Sequence, residues 1–295
     1  MKEDPLVAVE PVASRPARRR FIELPWVLHG DDPRWAPPLA SFEQWRLDPY
    51  RNPFLREGGE AELLLARRAG RVVGRISAHV AAPGAPEGWF GFFDTADDGP
   101  AVKALVEGAA AWLAKRGCAS MTGPASFTPG TEAGVLVEGF DVPGTTGRPW
   151  QPPWCADHLV AAGLTPAGDQ PRWRLDPAAP GVGAKVGGLA AVGSRHALAS
   201  HTGRHGDPRL VLQGDAGTVA AVPDLSGILR EAGGRSALAL ARHARHRQWE
   251  GCTVVVCDGD PAVLVPGLCR AAAQAGYQWV VAPWAPDNRP PETVH

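Results

Sequence analysis

No run of 18 apolar residues occurs in this sequence, so no segment is expected to cross a membrane as a helix. Net charge is almost absent: 30 Lys and Arg stand against 31 Asp and Glu. Such a balance gives no global attraction to nucleic acid or to a membrane surface. Cysteine is scarce. Cys118, Cys155, Cys252, Cys257 and Cys269 form no CxxC pair, and an odd count without paired spacing suits a reducing cytoplasm better than a disulfide framework. The opening MKEDPLVAVE lacks a basic region followed by an apolar core, so it is not expected to be a secretory signal. Lysine is nearly missing as well, with Arg supplying most of the positive charge beside abundant Ala, Gly and Pro. We read this as bacterial GC-rich coding bias, which lowers the information carried by any single Arg.

What is present suits two globular domains. The chain has 295 residues, 44% of them hydrophobic, enough for sizeable cores. Residues 5–12 read as a strand. ARRRFIELPWVLHG (17–30) spaces Phe21, Leu24 and Leu28 for a helix that Pro25 should kink or split. A Pro- and aromatic-rich loop with a short helix near 41–46 follows. ELLLARRAGRVVGRISAHV (62–80) reads as a hairpin turning at Ala69-Gly70, and GWFGFFD (88–94) as a strand. Residues 100–117 form the clearest helix, with Pro100 in its first turn, Gly117 at its end and one stripe from Val102 to Leu113. CASMTG (118–123), GVLVEGF (134–140) and PRWRLD (171–176) read as strands.

Residues 177–208, rich in Gly, Ala and Pro, read as a linker carrying His196, His201 and His205. Those histidines lack an evident third partner for zinc, so no metal site is assigned. Strand signals resume at RLVLQG (209–214) and TVAAVPD (218–224), then a helix at 225–232, a basic helix at 236–249, and TVVVCDGDPAVLVPGLCRAAAQAGYQWVVAPW (253–284) as strand, turn, helix and strand. The expected fold class is α+β. Residues 1–176 form one domain, 177–208 the linker and 209–295 a smaller domain, each with a mixed, mainly antiparallel sheet flanked by helices.

This succession resembles a tandem GNAT (acyl-CoA N-acyltransferase) chain of a bacterial two-domain GNAT-like family. The matching segments include FIELPWVLHGDDPRWAPPL (21–39), ELLLARRAGRVVGRISAHV (62–80), GFFD (91–94), AWLAKRGCASMTGPASF (111–127), GVLVEGFDVP (134–143) and PWAPDN (283–288). The resemblance implies acyl transfer to an amine-bearing small molecule, forming an amide. GNAT enzymes hold the CoA pyrophosphate at an R-G-x-G turn before a helix. Here that turn shortens to Asp258-Gly259-Asp260, and GFFDTADDGP (91–100) is equally acidic. Carboxylates there oppose a pyrophosphate and suit capping, with Asp260 as N-cap before Pro261. Acyl-CoA is therefore disfavoured and no cofactor is assigned. Tandem GNAT-like transferases that use aminoacyl-tRNA imply that donor instead, in bacterial secondary metabolism. The alternatives are an ordinary acyl-CoA-dependent N-acyltransferase and a non-catalytic module that binds a ligand or partner.

Several constellations suit that chemistry. Glu138 and Asp141 in VLVEGFD, at the end of an expected buried strand, can deprotonate an amine, or simply pair with Arg148. In WCADH (154–158), Cys155 and His158 stand three apart and can share a helix face as a nucleophile pair, or Cys155 is simply buried. Glu138, Asp141 and His158 are the candidate catalytic residues. Trp154, Cys155, Trp284 and Asn288 are the candidate substrate-binding residues, facing a cleft at or near the junction of the halves. Arg242, Arg245 and His246, with Trp249 one turn on and Arg247 on another face, form a candidate tRNA surface or a solvated helix face.

Overall fold

The computed structural model describes residues 6–127, 133–145, 148–169, 173–179, 190–191, 210–215, 217–236, 251–259 and 261–282. The chain divides into two compact units, residues 1–166 with 226–245 and residues 167–225 with 246–295. Both are α+β.

The first unit is built on five strands, β1 (Val7–Pro11), β2 (Glu60–Arg68), β3 (Arg71–Val80), β4 (Glu87–Thr95) and β5 (Ser120–Thr122), hydrogen-bonded in that order. Neighbours run antiparallel except β4 and β5, which are parallel. The β2–β3 turn falls at Ala69 (φ 48°) and Gly70 (φ 77°). Two successive positive φ values give the twist that a two-residue hairpin needs.

Helix α4 (Gly99–Ala114) covers one face of the sheet, joined by α5 (Trp154–Ala161). The apolar stripe of α4 is buried from Ala101 through Val102, Leu105, Val106 and Ala109 to Leu113. Each large side chain so buried contributes about 1.5–3 kcal/mol. The other face is covered by α1 (Arg15–His29), with α2 (Ala40–Arg46) and α3 (Pro53–Arg56) beyond it. Phe21, Ile22, Trp26, Trp35, Phe92 and Phe127 form that second layer.

Pro25 does not split α1, which runs unbroken from Arg15 to His29. A proline at 25 leaves the carbonyl of Phe21, four residues back, without its helical donor. Arg75 Nη1 on β3 supplies one, donating to the Phe21 carbonyl at 2.9 Å.

The pairing of β3 with β4 carries a bulge. Arg75 pairs with Asp94 and Ser77 with Gly91, so β4 has one residue more than β3 over that span. Phe92 takes φ 45° there, a strained value for a bulky residue. The extra residue inverts the alternation of faces. Phe90 and Phe93 pack on the α4 side, whereas Phe92 packs on the α1 side. Asp94 follows Phe92 to the α1 side, where it meets Arg75 and His29.

The expected strand at 134–140 does not form. Gly134 (φ 88°) and Gly139 (φ 75°) take left-handed conformations. The Gly134 N–H donates to the Pro124 carbonyl and the Leu136 N–H to Gln151 Oε1, so these groups have no strand partner. Helix α6 (Ser226–Ala232) belongs to the first unit; Trp26 Nε1 donates to the Gly233 carbonyl at 2.7 Å and Arg230 Nη1 to the Gly144 carbonyl at 2.9 Å.

The second unit holds six strands in the order β6–β11–β10–β9–β8–β7. These are β6 (Trp173–Leu175), β7 (Ala190–Ala191), β8 (Leu210–Gly214), β9 (Gly217–Pro223), β10 (Gly251–Gly259) and β11 (Trp279–Ala282). Helix α7 (Pro261–Gln274) joins the parallel pair β10 and β11 and buries Leu264, Val265, Leu268, Cys269 and Ala272 in the core. The other pairings are antiparallel. The strand–helix–strand order expected over 253–284 is present; Asp260, expected to cap the helix, lies outside the described residues.

Candidate active site at the end of strand β4

The bulge aims Asp94 at Arg75 and His29. Arg75 Nε and Nη2 each lie 2.7 Å from Asp94 Oδ2, and His29 Nε2 lies 3.2 Å from Asp94 Oδ1. All three side chains are buried or nearly so, at 6% exposure for Arg75, 4% for His29 and 14% for Asp94. Burial pushes the Asp94 carboxyl up, but the Arg75 charge and the hydrogen bonds from His29 and Arg75 outweigh it and hold it below the usual carboxylate range. Asp94 is therefore ionised. Toward an ionised carboxylate only an N–H can bond, so His29 Nε2 is the donor of this contact.

Aromatic rings enclose His29. Trp35 lies 5.8 Å from its ring centroid and Trp150 5.6 Å, the latter edge to face. Trp150 lies shortly after the irregular segment 133–145, which is clipped to the 31–39 loop. Arg34 Nη1 donates to the Phe140 carbonyl at 2.8 Å, and the Gly144 N–H to the Arg34 carbonyl at 2.7 Å. Trp150 Nε1 is buried with no hydrogen-bond partner among the described residues, which is uncommon for a buried indole.

Beyond Asp94 the chain turns into α4 through Ala96, Asp97 and Asp98. Asp98 Oδ1 accepts the Ala101 N–H at 2.9 Å and caps the helix. Arg68 grips the same carboxylate with both arms, at 2.6 and 2.8 Å. The hydrogen bond from Arg68 is the main reason that the Asp98 carboxyl is held down. Asp97 Oδ1 lies 2.6 Å from His158 Nε2, and Trp154 packs on that imidazole at 5.4 Å. Side chains of the protein itself thus occupy the α4 N-terminus, where a phosphate would otherwise sit.

The residues picked from the sequence separate. Glu138 is exposed in an irregular loop, not at the end of a buried strand. Asp141 is exposed and acts electrostatically on Arg34. No described contact joins either to Trp154 or His158, which belong to the Asp97 corner. Cys155 and His158 do share α5, but Cys155 is buried in the α4-side core, and burial pushes its thiol up to about 12. It packs in the core, the setting of an inert thiol. Trp284 and Asn288, the basic set Arg242, Arg245, His246, Arg247 and Trp249, and the histidines at 196, 201 and 205 lie outside the described residues. Among the described residues no cluster of His, Cys, Asp and Glu could hold a metal ion, and no helix is long and apolar enough to cross a membrane.

The central residues went unselected in the sequence, although a signal is there. His29 continues the α1 series 21, 25, 29, Arg75 interrupts an apolar strand, and Asp94 closes GWFGFFD. Polar residues on three apolar faces must satisfy one another once buried. That clue was readable, but not which residues would meet.

No protein-family model matches the chain. Among curated proteins it is 35% identical over 164 residues to Protein YghO of Escherichia coli (strain K12), covering 52% of this chain and 40% of that protein. It is 34% identical over 176 residues to a bacterial ceramide synthase of Caulobacter vibrioides (strain NA1000 / CB15N), covering 58% of this chain and 46% of that protein. The chain spans less than half the length of these relatives. Among solved structures it is similar to a tandem GNAT protein from the clavulanic acid biosynthesis pathway, at 16% identity and a TM-score of 0.47, over 93% of this chain and 89% of that one. It is also similar to a ribosomal-protein-alanine N-acetyltransferase from Brucella melitensis biovar Abortus 2308, at 22% identity and a TM-score of 0.24, over 40% of this chain and 78% of that one. GNAT acetyltransferases, a tandem protein included, are thus among the solved structures that resemble this chain.

Proposed function

We propose that this chain is an N-acyltransferase that forms an amide on an amine-bearing small molecule, with His29 as general base. The observation that carries this reading is the buried His29–Asp94–Arg75 chain at the end of β4. Asp94 fixes the imidazole and supports the positive charge it gains, while Arg75 holds Asp94 in place. The amine nitrogen attacks the acyl carbonyl, the bond from acyl carbon to leaving group breaks, and the amine proton passes to His29 Nδ1. The unpartnered Trp150 Nε1 is a donor available to an oxygen of the bound reactants. The ceramide synthase relative supports this chemistry, because a ceramide is an amide of a long-chain amine. It also makes such an amine the first acceptor to try.

For the donor, the self-capped α4 turn favours one that does not anchor a pyrophosphate there. Aminoacyl-tRNA meets that condition, and a role in building a peptide-like bacterial metabolite goes with it. Acyl-CoA is the alternative. The test incubates purified protein with a long-chain amine and either acyl-CoA or aminoacyl-tRNA, and follows amide formation by mass spectrometry. Product that falls at least 100-fold in His29→Gln, in a folded protein, supports the reading. Failure to form product from either donor sinks it.

The near-complete burial of His29 favours one second reading, a non-catalytic module in which the same chain is structural. Full activity of folded His29→Gln, with reduced thermal stability, would select that reading.

A further inference from the structure

The outer side of α1 is built against its own dipole. Arg15, Arg18 and Arg19 fall in its first two turns, and its first turn carries no acidic residue. A helix N-terminus favours anions, so cations there are placed against the dipole. These arginines continue one stripe with Glu23 and Trp26, at spacings of three and four residues. Together with Arg235 they line a groove of about 630 Å³, a volume in the range of small-ligand sites. Both walls belong to the first unit. Glu23 is the only acidic residue of the lining, and it pairs with Arg19 at 2.9 Å. Arg15 and Arg18 make no ion pair among the described residues. Arg235 stands 6.0 Å over the ring of Trp26. Trp26 itself is held by its bond to the Gly233 carbonyl, which fixes its ring at the floor of the groove.

We propose that this groove is a binding site for a ligand carrying two or more phosphate groups. Guanidinium groups match phosphate oxygens in geometry as well as charge. Three arginines with no carboxylate partner among the described residues, set around a concave floor, fit a cluster of phosphates better than a single carboxylate. The α4 turn does not compete for such a ligand, since Asp98 and Arg68 fill it. This inference goes beyond the amide-forming reading and does not depend on it. The same phosphate chemistry can come from a soluble polyphosphate ester or from the headgroups of an anionic lipid.

Calorimetry with the full chain would use tripolyphosphate and CoA as soluble probes. Sedimentation with phosphatidylglycerol vesicles would test the lipid source. The expectation is binding that weakens with salt, falls at least tenfold in the double variant Arg15→Ala/Arg18→Ala and in Arg235→Ala, and falls less in Arg15→Lys/Arg18→Lys, which keeps the charge without the planar fork. Arg71→Ala, an exposed arginine away from the groove, should bind as the parent does. Variant-sensitive binding of soluble probes assigns a soluble ligand; variant-sensitive binding of vesicles alone assigns lipid headgroups. If neither source binds, or if the groove variants bind as well as the parent in folded proteins, the proposal is overturned. Because the readout is binding, its failure would leave the amide-forming reading standing.

Discussion

Arg75 and Asp94 are directly opposed across the β3–β4 ladder, and their side chains meet at 2.7 Å on the α1 face of the sheet. The contact ties three elements, because the same guanidinium donates to the Phe21 carbonyl that Pro25 leaves free in α1. Removing one partner strands a buried charge, so Asp94→Ala should cost about 3–5 kcal/mol. The double variant Arg75→Met/Asp94→Leu should recover part of that stability, since it leaves no unpaired charge although the Phe21 carbonyl and His29 Nε2 lose their partners, and it should stay inactive. Chemical denaturation of the three proteins checks this. A single-variant cost no larger than that of an ordinary surface change would show that the contact is incidental.

Acid should weaken the first unit in two stages. His79 is buried against Phe54 and Phe127, and burial lowers its pKa to about 3 from 6.5. The unfolded chain takes up this proton below about pH 6.5 while the folded chain does not. Stability should therefore fall by about 1.4 kcal/mol per pH unit from there toward pH 3. Asp94 adds its loss later. Its folded pKa lies below the model-peptide value of 3.8, so its contribution is complete well above that value, starts to decline as pH nears it, and is lost as pH drops through the folded pKa. Melting temperatures from pH 7 to pH 3 should show the early stage, and His79→Phe should flatten it.

Thiol reactivity should follow burial. Cys155, Cys252 and Cys269 are buried, and their thiols are pushed up to about 12 by burial, so almost no thiolate exists at pH 8. Iodoacetamide on the native protein should label Cys118, which is only half-buried, before any of the three. Mass spectrometry of timed samples reads the order. Early labelling of Cys155 with the fold intact would contradict its place in the core. Cys155→Ala should keep any amide-forming activity.

Gly91 has no room for a side chain. A Cβ there would lie 2.0 Å from the Ala125 carbonyl oxygen, because the chain after β5 runs against β4, with the Ala125 N–H donating to the Phe90 carbonyl at 2.7 Å. Backbone cannot rotate away as a side chain would, so Gly91→Ala should cost about 3 kcal/mol or more. Circular-dichroism melting would measure it. An unchanged midpoint would mean that the 123–127 segment does not lie against β4.

Much of the frame was legible in local pattern. The stripe from Val102 to Leu113 marked α4, and Ala69-Gly70 marked the hairpin turn. Both depend on neighbours in sequence, so periodicity and turn chemistry read them directly. The 134–140 segment misled for the same reason. GVLVEGF has the apolar content of a strand, but Gly134 and Gly139 turn left-handed and the 134 and 136 N–H groups bond elsewhere. No nearby residue reveals whether a partner strand is on offer.

The candidate site was hidden for a stronger reason. By itself the sequence determined an α+β chain with two sheets, the faces of its longest helices, and the acidic character of the turn before α4. Only the tertiary structure decided that Asp94 points toward α1. One additional residue in β4 reverses which face each later side chain takes, and the bulge exists only in the pairing with β3. It likewise decided that Pro25 is tolerated, because the donor that completes the Phe21 carbonyl stands 54 positions away in the chain. Periodicity is a property of one segment. A bulge and a borrowed hydrogen bond belong to two segments in contact, which only the folded chain brings together.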